Sequence, residues 1–214
     1  VAIDGRTSLF DPDQVDRLRT RRRRTAVGEV SSVITSRITR VHESGHHYRD
    51  RPATELAVTD TSFEQVAELL WGVAVRPADD DHWELHLDDL SRIRAVQNAL
   101  GDEVPSLDRL RVAVATLSAS DPLRHDLSPT SVANAGRRMI AGMVAAMPKL
   151  HVGPRGRLAD QLWLGLALAP GSDAQRRVLN AALVLLADHG LAASTFAVRV
   201  ASSVRADPYS AVST

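Results

Sequence analysis

The chain of 214 residues contains no cysteine, a single lysine (Lys149), and few aromatics: three Trp, three Phe and two Tyr. Without cysteine there can be no disulfide, no thiolate nucleophile and no thiolate metal site. With so few aromatics, a core has to be assembled from Ala, Leu and Val. These side chains let helices approach closely, and Ala and Leu are also the best helix formers. Charge of one sign is lacking as well, since Lys plus Arg and Asp plus Glu both number 26. Bulk charge therefore indicates no polyanionic partner. No apolar run approaches the ~20 residues of a membrane-spanning helix, and no secretory signal pattern opens the chain. A cytoplasmic protein is expected. Almost every base is arginine, which reads first as compositional bias.

What is present is a hydrophobic content of 44%, enough for a real core. Residues 1–24 read as a first unit. Val1–Arg6 is expected to form a short strand and turn, and Leu9-Phe10 a second strand. Asp11-Pro12-Asp13 is a helix start, with Asp11 as N-cap, Pro12 at the first helical position and Asp13 in the first turn. The helix would end in Arg19 and Arg21–Arg24. This run could contact phosphates, but it is read as a solvated helix end.

Residues 25–73 carry the β signal. Val33-Ile34-Thr35 and Ile38–Val41 are β-prone, Glu43-Ser44-Gly45 is a turn, and His46–Arg49 continues as a second strand. Residues 74–83 form a polar, acidic linker. From 84 to 214 apolar residues recur at helical spacing. One helix runs through Leu87–Leu100 and ends at Gly101; a second carries Leu107, Leu110, Val114 and Leu117. A long third is capped by Thr130 and stopped by Pro148, a fourth carries Leu158, Leu162 and Leu166, and Val178–Ala187 and Thr195–Val204 close the set. The expectation is a mainly α fold with a small β-hairpin.

Candidate chemistry is sparse. His189 follows the apolar run Ala181–Leu186, with Gly190 placed as a helix C-cap. An imidazole at a helix C-terminus is favoured as the cation and could bind a carboxylate or polarise a ketone; a buried histidine satisfied by carbonyls is the plainer reading. Ser194 and Thr195 could cap the following helix. His82 and His86 are four apart, a spacing that could bind metal on a helical face. No third ligand is near, and they are not read as a metal site. His46 and His47 are adjacent on a strand and face opposite sides. No phosphate loop, nucleophile elbow or other metal pattern is found.

Leu179–Thr214, around Ala187-Asp188-His189 and Ala193-Ser194-Thr195, resembles the middle of citrate synthases and their Ala-Asp-His-Glu…Ala-Ser-Thr motif. Ile38-Thr39-Arg40, Tyr48-Arg49, Glu55-Leu56-Ala57 and Phe63–Trp71 add a second stretch, where the family has a small hairpin, Tyr-Arg-Gly and two short helices. Asp50 stands in place of that glycine, Gly190 in place of a frequent Glu, and Ala192 in place of a frequent Asn. The strand–Phe-Asp-Pro–helix pattern of the first unit resembles the tail of a MerR- or excisionase-like winged helix-turn-helix, as in a bacterial citrate/2-methylcitrate synthase subgroup. On that resemblance the chain looks truncated at both ends, with 1–24 a winged-helix remnant.

The resemblance implies a citrate-synthase-like helical domain and a homodimer packed through helices such as Thr130–Met147 and Val178–Ala187. It implies condensation of acetyl-CoA or propionyl-CoA with oxaloacetate, with no metal or redox cofactor and acyl-CoA as substrate. His189 falls on the family's oxaloacetate-binding histidine, and Asp188 would orient the loop. The family's catalytic residues come from later segments, so none is expected within residues 1–214. Two alternatives stand beside this reading. One is a non-catalytic subunit paired with a citrate synthase paralogue. The other is a metabolite-sensing regulator that binds DNA through an intact helix-turn-helix.

Overall fold

A computed structural model describes residues 2–4, 7–8, 38–42, 45–73, 82–101, 103–147, 156–167, 169, 171–188 and 193–213. The chain divides into two compact units, Val1–Thr35 and Ser36–Thr214. In the first, β1 (Ala2–Asp4) pairs antiparallel with β2 (Thr7–Ser8), with Ala2 opposite Ser8 and Asp4 opposite Thr7. The second strand thus includes Thr7–Ser8. Leu9-Phe10, the Asp11-Pro12 helix start, the arginine run and Val33–Thr35 lie outside the described residues.

The second unit opens with a three-stranded antiparallel sheet in the order β3 (Thr39–His42), β4 (Gly45–Tyr48), β5 (Arg51–Pro52). Thr39 is paired with Tyr48, so both side chains stand on one face. Gly45 has φ 115°, a left-handed value that suits glycine at the hairpin turn. Arg49 and Asp50 are also left-handed, with φ of 45° and 72°. The Asp50-for-Gly departure therefore falls on a position that demands positive φ, which Asp tolerates better than most residues.

Nine helices follow among the described residues: α1 (Ala53–Val58), α2 (Phe63–Trp71), α3 (Leu87–Ala99), α4 (Ser106–Ala119), α5 (Pro129–Ala145), α6 (Leu158–Leu166), α7 (Asp173–Leu185), α8 (Ala193–Ser203) and α9 (Pro208–Val212). Local chemistry sets their ends. Ser62 and Gln65 form a capping box on α2, and Ser172 and Gln175 form another on α7. The cap of α5 is Ser128 with Pro129 in the first turn, not Thr130, which lies inside the helix. Ser194 and Thr195 likewise lie within the first turn of α8 rather than at its cap. A further helix follows the expected Thr195–Val204: Asp207 caps α9 and Pro208 begins it.

The core is small-residue and close-packed, as the composition requires. Helix α5 crosses α3 and α4 at Gly142, where an added Cβ would lie 2.4 Å from Leu117 Cδ1 and 3.2 Å from Ile93 Cδ1. Three apolar clusters result. Ile93, Ala113, Leu117, Ala135, Met139 and Tyr209 join α3, α4, α5 and α9. Ala67, Trp83, Ala141, Val144 and Leu158 join α2, α5 and α6. Tyr48, Ala53, Leu56, Val66, Leu70 and Val184 join the hairpin, α1, α2 and α7. Trp83, placed in the polar linker by sequence, is buried and stacks on Trp71 at 5.3 Å between centroids. The buried side of α5, a suggested dimer helix, is covered within the chain. Large apolar side chains remain exposed on α7 (Val178, Leu185) and α8 (Phe196, Val200).

Candidate functional site

The hairpin and the end of α7 meet at one side chain. Tyr48 is fully buried, and its hydroxyl lies 3.0 Å from each of the carbonyl oxygens of Val184, Leu185 and Asp188. A helix leaves its last carbonyls without intrahelical partners. Here α7 ends at Leu185, with Leu186 in the C-cap position, and the phenol supplies a donor to the carbonyls of that end. The Asp188 peptide N–H in turn donates to the Tyr48 oxygen at 3.4 Å. Burial raises the Tyr48 pKa above its ordinary value and the Asp188 carboxylate adds to this, while the hydrogen bond from the Asp188 peptide opposes it. The group is a neutral phenol, able to donate, throughout the physiological range.

Thr39, across the strand pair from Tyr48, donates its hydroxyl to Asp188 Oδ2. Asp188 is therefore held at its main chain by one strand and at its carboxylate by the other. Neighbouring contacts fix the frame. Arg49 donates Nε and Nη2 to the Leu70 carbonyl at 3.2 and 2.9 Å, tying the hairpin to α2. Asn180 on α7 accepts from the Phe63 N–H at 3.0 Å and donates to the Thr61 carbonyl at 2.9 Å, docking α7 on the α2 start. Asp188, expected to orient its loop, has these partners in Thr39 and Tyr48; the loop residues after it lie outside the described residues. His189, the predicted substrate-binding residue, and Gly190 lie outside the described residues. Helix α7 ends at Leu185, earlier than the Val178–Ala187 expected from sequence.

A second polar centre joins α3, α4, α5 and α9. Arg138 makes a bidentate pair with Asp89, Nε to Oδ2 at 2.6 Å and Nη2 to Oδ1 at 2.7 Å. It also donates to the Leu117 carbonyl at 2.8 Å, Ser120 Oγ at 2.8 Å and the Tyr209 hydroxyl at 2.7 Å. Tyr209 donates to Asp121 Oδ2 at 2.7 Å. The Arg138 hydrogen bonds hold the Asp89 carboxyl below its usual range, against the opposing effect of burial. Burial and Asp121 push the Tyr209 phenol up to about 12, with Arg138 opposing them. A cleft of about 280 Å³ beside this centre is lined by Trp83, His86, Asn134, Arg137 and Arg138 among others. Both guanidiniums in its wall are already matched by carboxylates, Arg138 by Asp89 and Arg137 by the buried Glu68 at 2.9 Å.

The remaining sequence candidates separate. His82 and His86 precede α3 outside any helix, so the helical-face spacing does not apply, and His86 is the N-cap of α3. His46 and His47 are consecutive on β4. Among the described residues no group of three or more His, Asp or Glu side chains could hold a metal ion, and no helix is long and apolar enough to cross a membrane. Sequence reasoning quoted Thr39 and Tyr48 as motif positions but assigned them no task. It missed the Arg138 centre, for which the signal was a pair of arginines, Arg137-Arg138, inside an otherwise apolar helix.

A helical domain whose hairpin clamps the Ala187-Asp188 segment has the frame of a citrate-synthase-type fold, and comparison with known proteins agrees. Residues 29–214 match the profile of the citrate synthase C-terminal domain, and the chain belongs to the citrate synthase family. It is 32% identical over 185 residues to a 2-methylcitrate synthase of Mycobacterium tuberculosis, covering 77% of this chain and 45% of that protein. It is 30% identical over 193 residues to a citrate synthase of Mycolicibacterium smegmatis, covering 77% of this chain and 48% of that one. The chain thus spans about half the length of the curated relatives it matches. Among solved structures, the citrate synthase of Thermoplasma acidophilum, in ternary complex with carboxymethyl coenzyme A and oxaloacetate, superposes with a TM-score of 0.65 at 19% identity, covering 88% of this chain and 54% of that one. The citrate synthase of Thermotoga maritima gives 0.64 at 19% identity, covering 86% and 52%. At that identity the likeness speaks for the fold.

Proposed function

We propose that this chain is part of a citrate or 2-methylcitrate synthase-like acyltransferase, and that it contributes His189 to the binding of oxaloacetate. The observation that carries the reading is the double hold on Asp188, which fixes the residue preceding His189 against a hairpin distant in sequence. The reaction joins the methyl carbon of acetyl-CoA, or the methylene of propionyl-CoA, to the ketone carbon of oxaloacetate. It needs a base for a weakly acidic C–H beside a thioester, and donors for the enolate and ketone oxygens. An imidazole at His189 supplies one donor, to a substrate carboxylate or the ketone. No catalytic residue is assigned within residues 1–214, and acyl-CoA is a substrate rather than a resident cofactor.

The finer organisation belongs to the same proposal. Residues 1–24 are a winged-helix segment like that of the MerR-like subgroup, 25–73 the hairpin and short helices, 74–83 a linker and 84–214 the helical domain. The exposed Val178, Leu185, Phe196 and Val200 support association with a second copy or a paralogue, more through α7 and α8 than through the covered side of α5. The tricarboxylic acid cycle and the cytoplasm are the setting this reaction class suggests.

Calorimetric titration of oxaloacetate tests the reading. Binding by the wild type, weakened at least tenfold in His189→Ala, supports it; absence of binding, or equal binding by the variant, defeats it. Release of CoA from acetyl-CoA against propionyl-CoA, assayed with oxaloacetate, then decides the acyl substrate.

A further inference from the structure

We infer that Thr39 and Tyr48 are positioning residues, which fix the main chain and side chain of Asp188 and through it the affinity for oxaloacetate. The inference rests on the proposed role of His189. The two residues are direct partners across β3 and β4, so their side chains rise from one face of the sheet within reach of a single target. That target is Asp188, 149 residues from Thr39 and 140 from Tyr48. Tyr48 contacts its carbonyl oxygen and its peptide N–H, and Thr39 its carboxylate. A residue held at both main chain and side chain has little freedom left in the torsions that aim the next peptide.

Helix capping alone does not account for this arrangement. Contacts with the Val184 and Leu185 carbonyls would serve the end of α7 without Asp188. An acidic side chain just past a helix C-terminus is moreover the wrong sign for the helix dipole. Thr39 bonds that carboxylate, which lies beyond the end of α7, so its contact bears on the segment after the helix rather than on the helix. Burial raises the Tyr48 pKa, so the donor persists throughout the physiological range.

Tyr48→Phe and Thr39→Val remove the hydroxyls and keep the shapes, while Thr39→Ser keeps a hydroxyl. Each is compared with the wild type by amide hydrogen exchange of residues 184–192, against residues 173–183 as internal reference, and by oxaloacetate titration. Loss of either hydroxyl is expected to speed exchange of 184–192 by about fivefold and to weaken oxaloacetate by a similar factor, the worth of one hydrogen bond. Thr39→Ser should restore both, and the reference peptide should not change. Exchange within twofold of wild type in both Phe and Val variants overturns the inference. So does faster exchange with unaltered oxaloacetate affinity. Should the wild type bind no oxaloacetate, the reading of His189 fails along with the link to affinity, and exchange alone decides the hold on Asp188.

Discussion

Two buried polar centres hold the second unit together, and they are built on opposite principles. At Arg138 the chemistry is ionic: one guanidinium satisfies Asp89, Ser120, the Leu117 carbonyl and Tyr209, and so pins four helices. At Tyr48 no charge is donated; a neutral hydroxyl meets the backbone end of α7 and the peptide of Asp188. The ionic centre joins helices to one another through their interiors. The neutral one joins a hairpin to a segment that leaves a helix, where the direction of the chain matters more than its stability. The first should govern whether the domain stays folded, the second whether the segment proposed to bind oxaloacetate is correctly aimed.

The largest effect is expected at the ionic centre. Arg138→Met takes the bidentate cation from Asp89, leaving it the more exposed Arg92, and removes the guanidinium beside Asp121; it should cost about 3 kcal/mol, read from denaturant unfolding. Next comes the helix crossing. Gly142→Ala puts a methyl against Leu117 and Ile93 and should cost about 2 kcal/mol, unless Leu117 changes rotamer. Tyr48→Phe should cost only about 1 kcal/mol of stability. A loss at Tyr48 as large as that at Arg138 would erase the distinction between the centres.

The pH dependence sharpens the same contrast. Asp89 has a depressed pKa in the folded state, so its stabilisation is present above its ordinary carboxylate range and is lost as pH falls through and below that range. Tyr209 is raised to about 12, so its contribution is complete below the ordinary tyrosine value of 10.0 and is lost as pH climbs from there toward 12. Unfolding free energy should therefore drop at both extremes. In Arg138→Met the acid limb should become shallower, because Asp89 loses the partner that lowers its pKa most and keeps only Arg92 and Ser120. Tyr48 is raised as well and should add to the alkaline limb only.

Much of this fold was legible in the sequence because its signals are local. Helical spacing located α3 to α8, and the β-prone run with Gly45 located the hairpin. The exceptions were boundaries, where Ser128 displaced Thr130 as the cap of α5 and Asp207-Pro208 opened a helix of its own. The site was legible only as motif positions. Nothing within a few residues of Tyr48 reveals that its hydroxyl meets a helix end 136 residues away. The burial of Trp83 in an apparently polar linker was hidden for the same reason, since its partner Trp71 lies across the acidic stretch.

The most direct test of the two-centre account is oxaloacetate affinity measured in Arg138→Met and Tyr48→Phe under conditions where both are at least nine-tenths folded. The account predicts that Arg138→Met, the less stable protein, binds within about twofold of wild type, whereas Tyr48→Phe, the more stable one, binds about fivefold more weakly. Affinity that falls in step with stability across the two variants would contradict it.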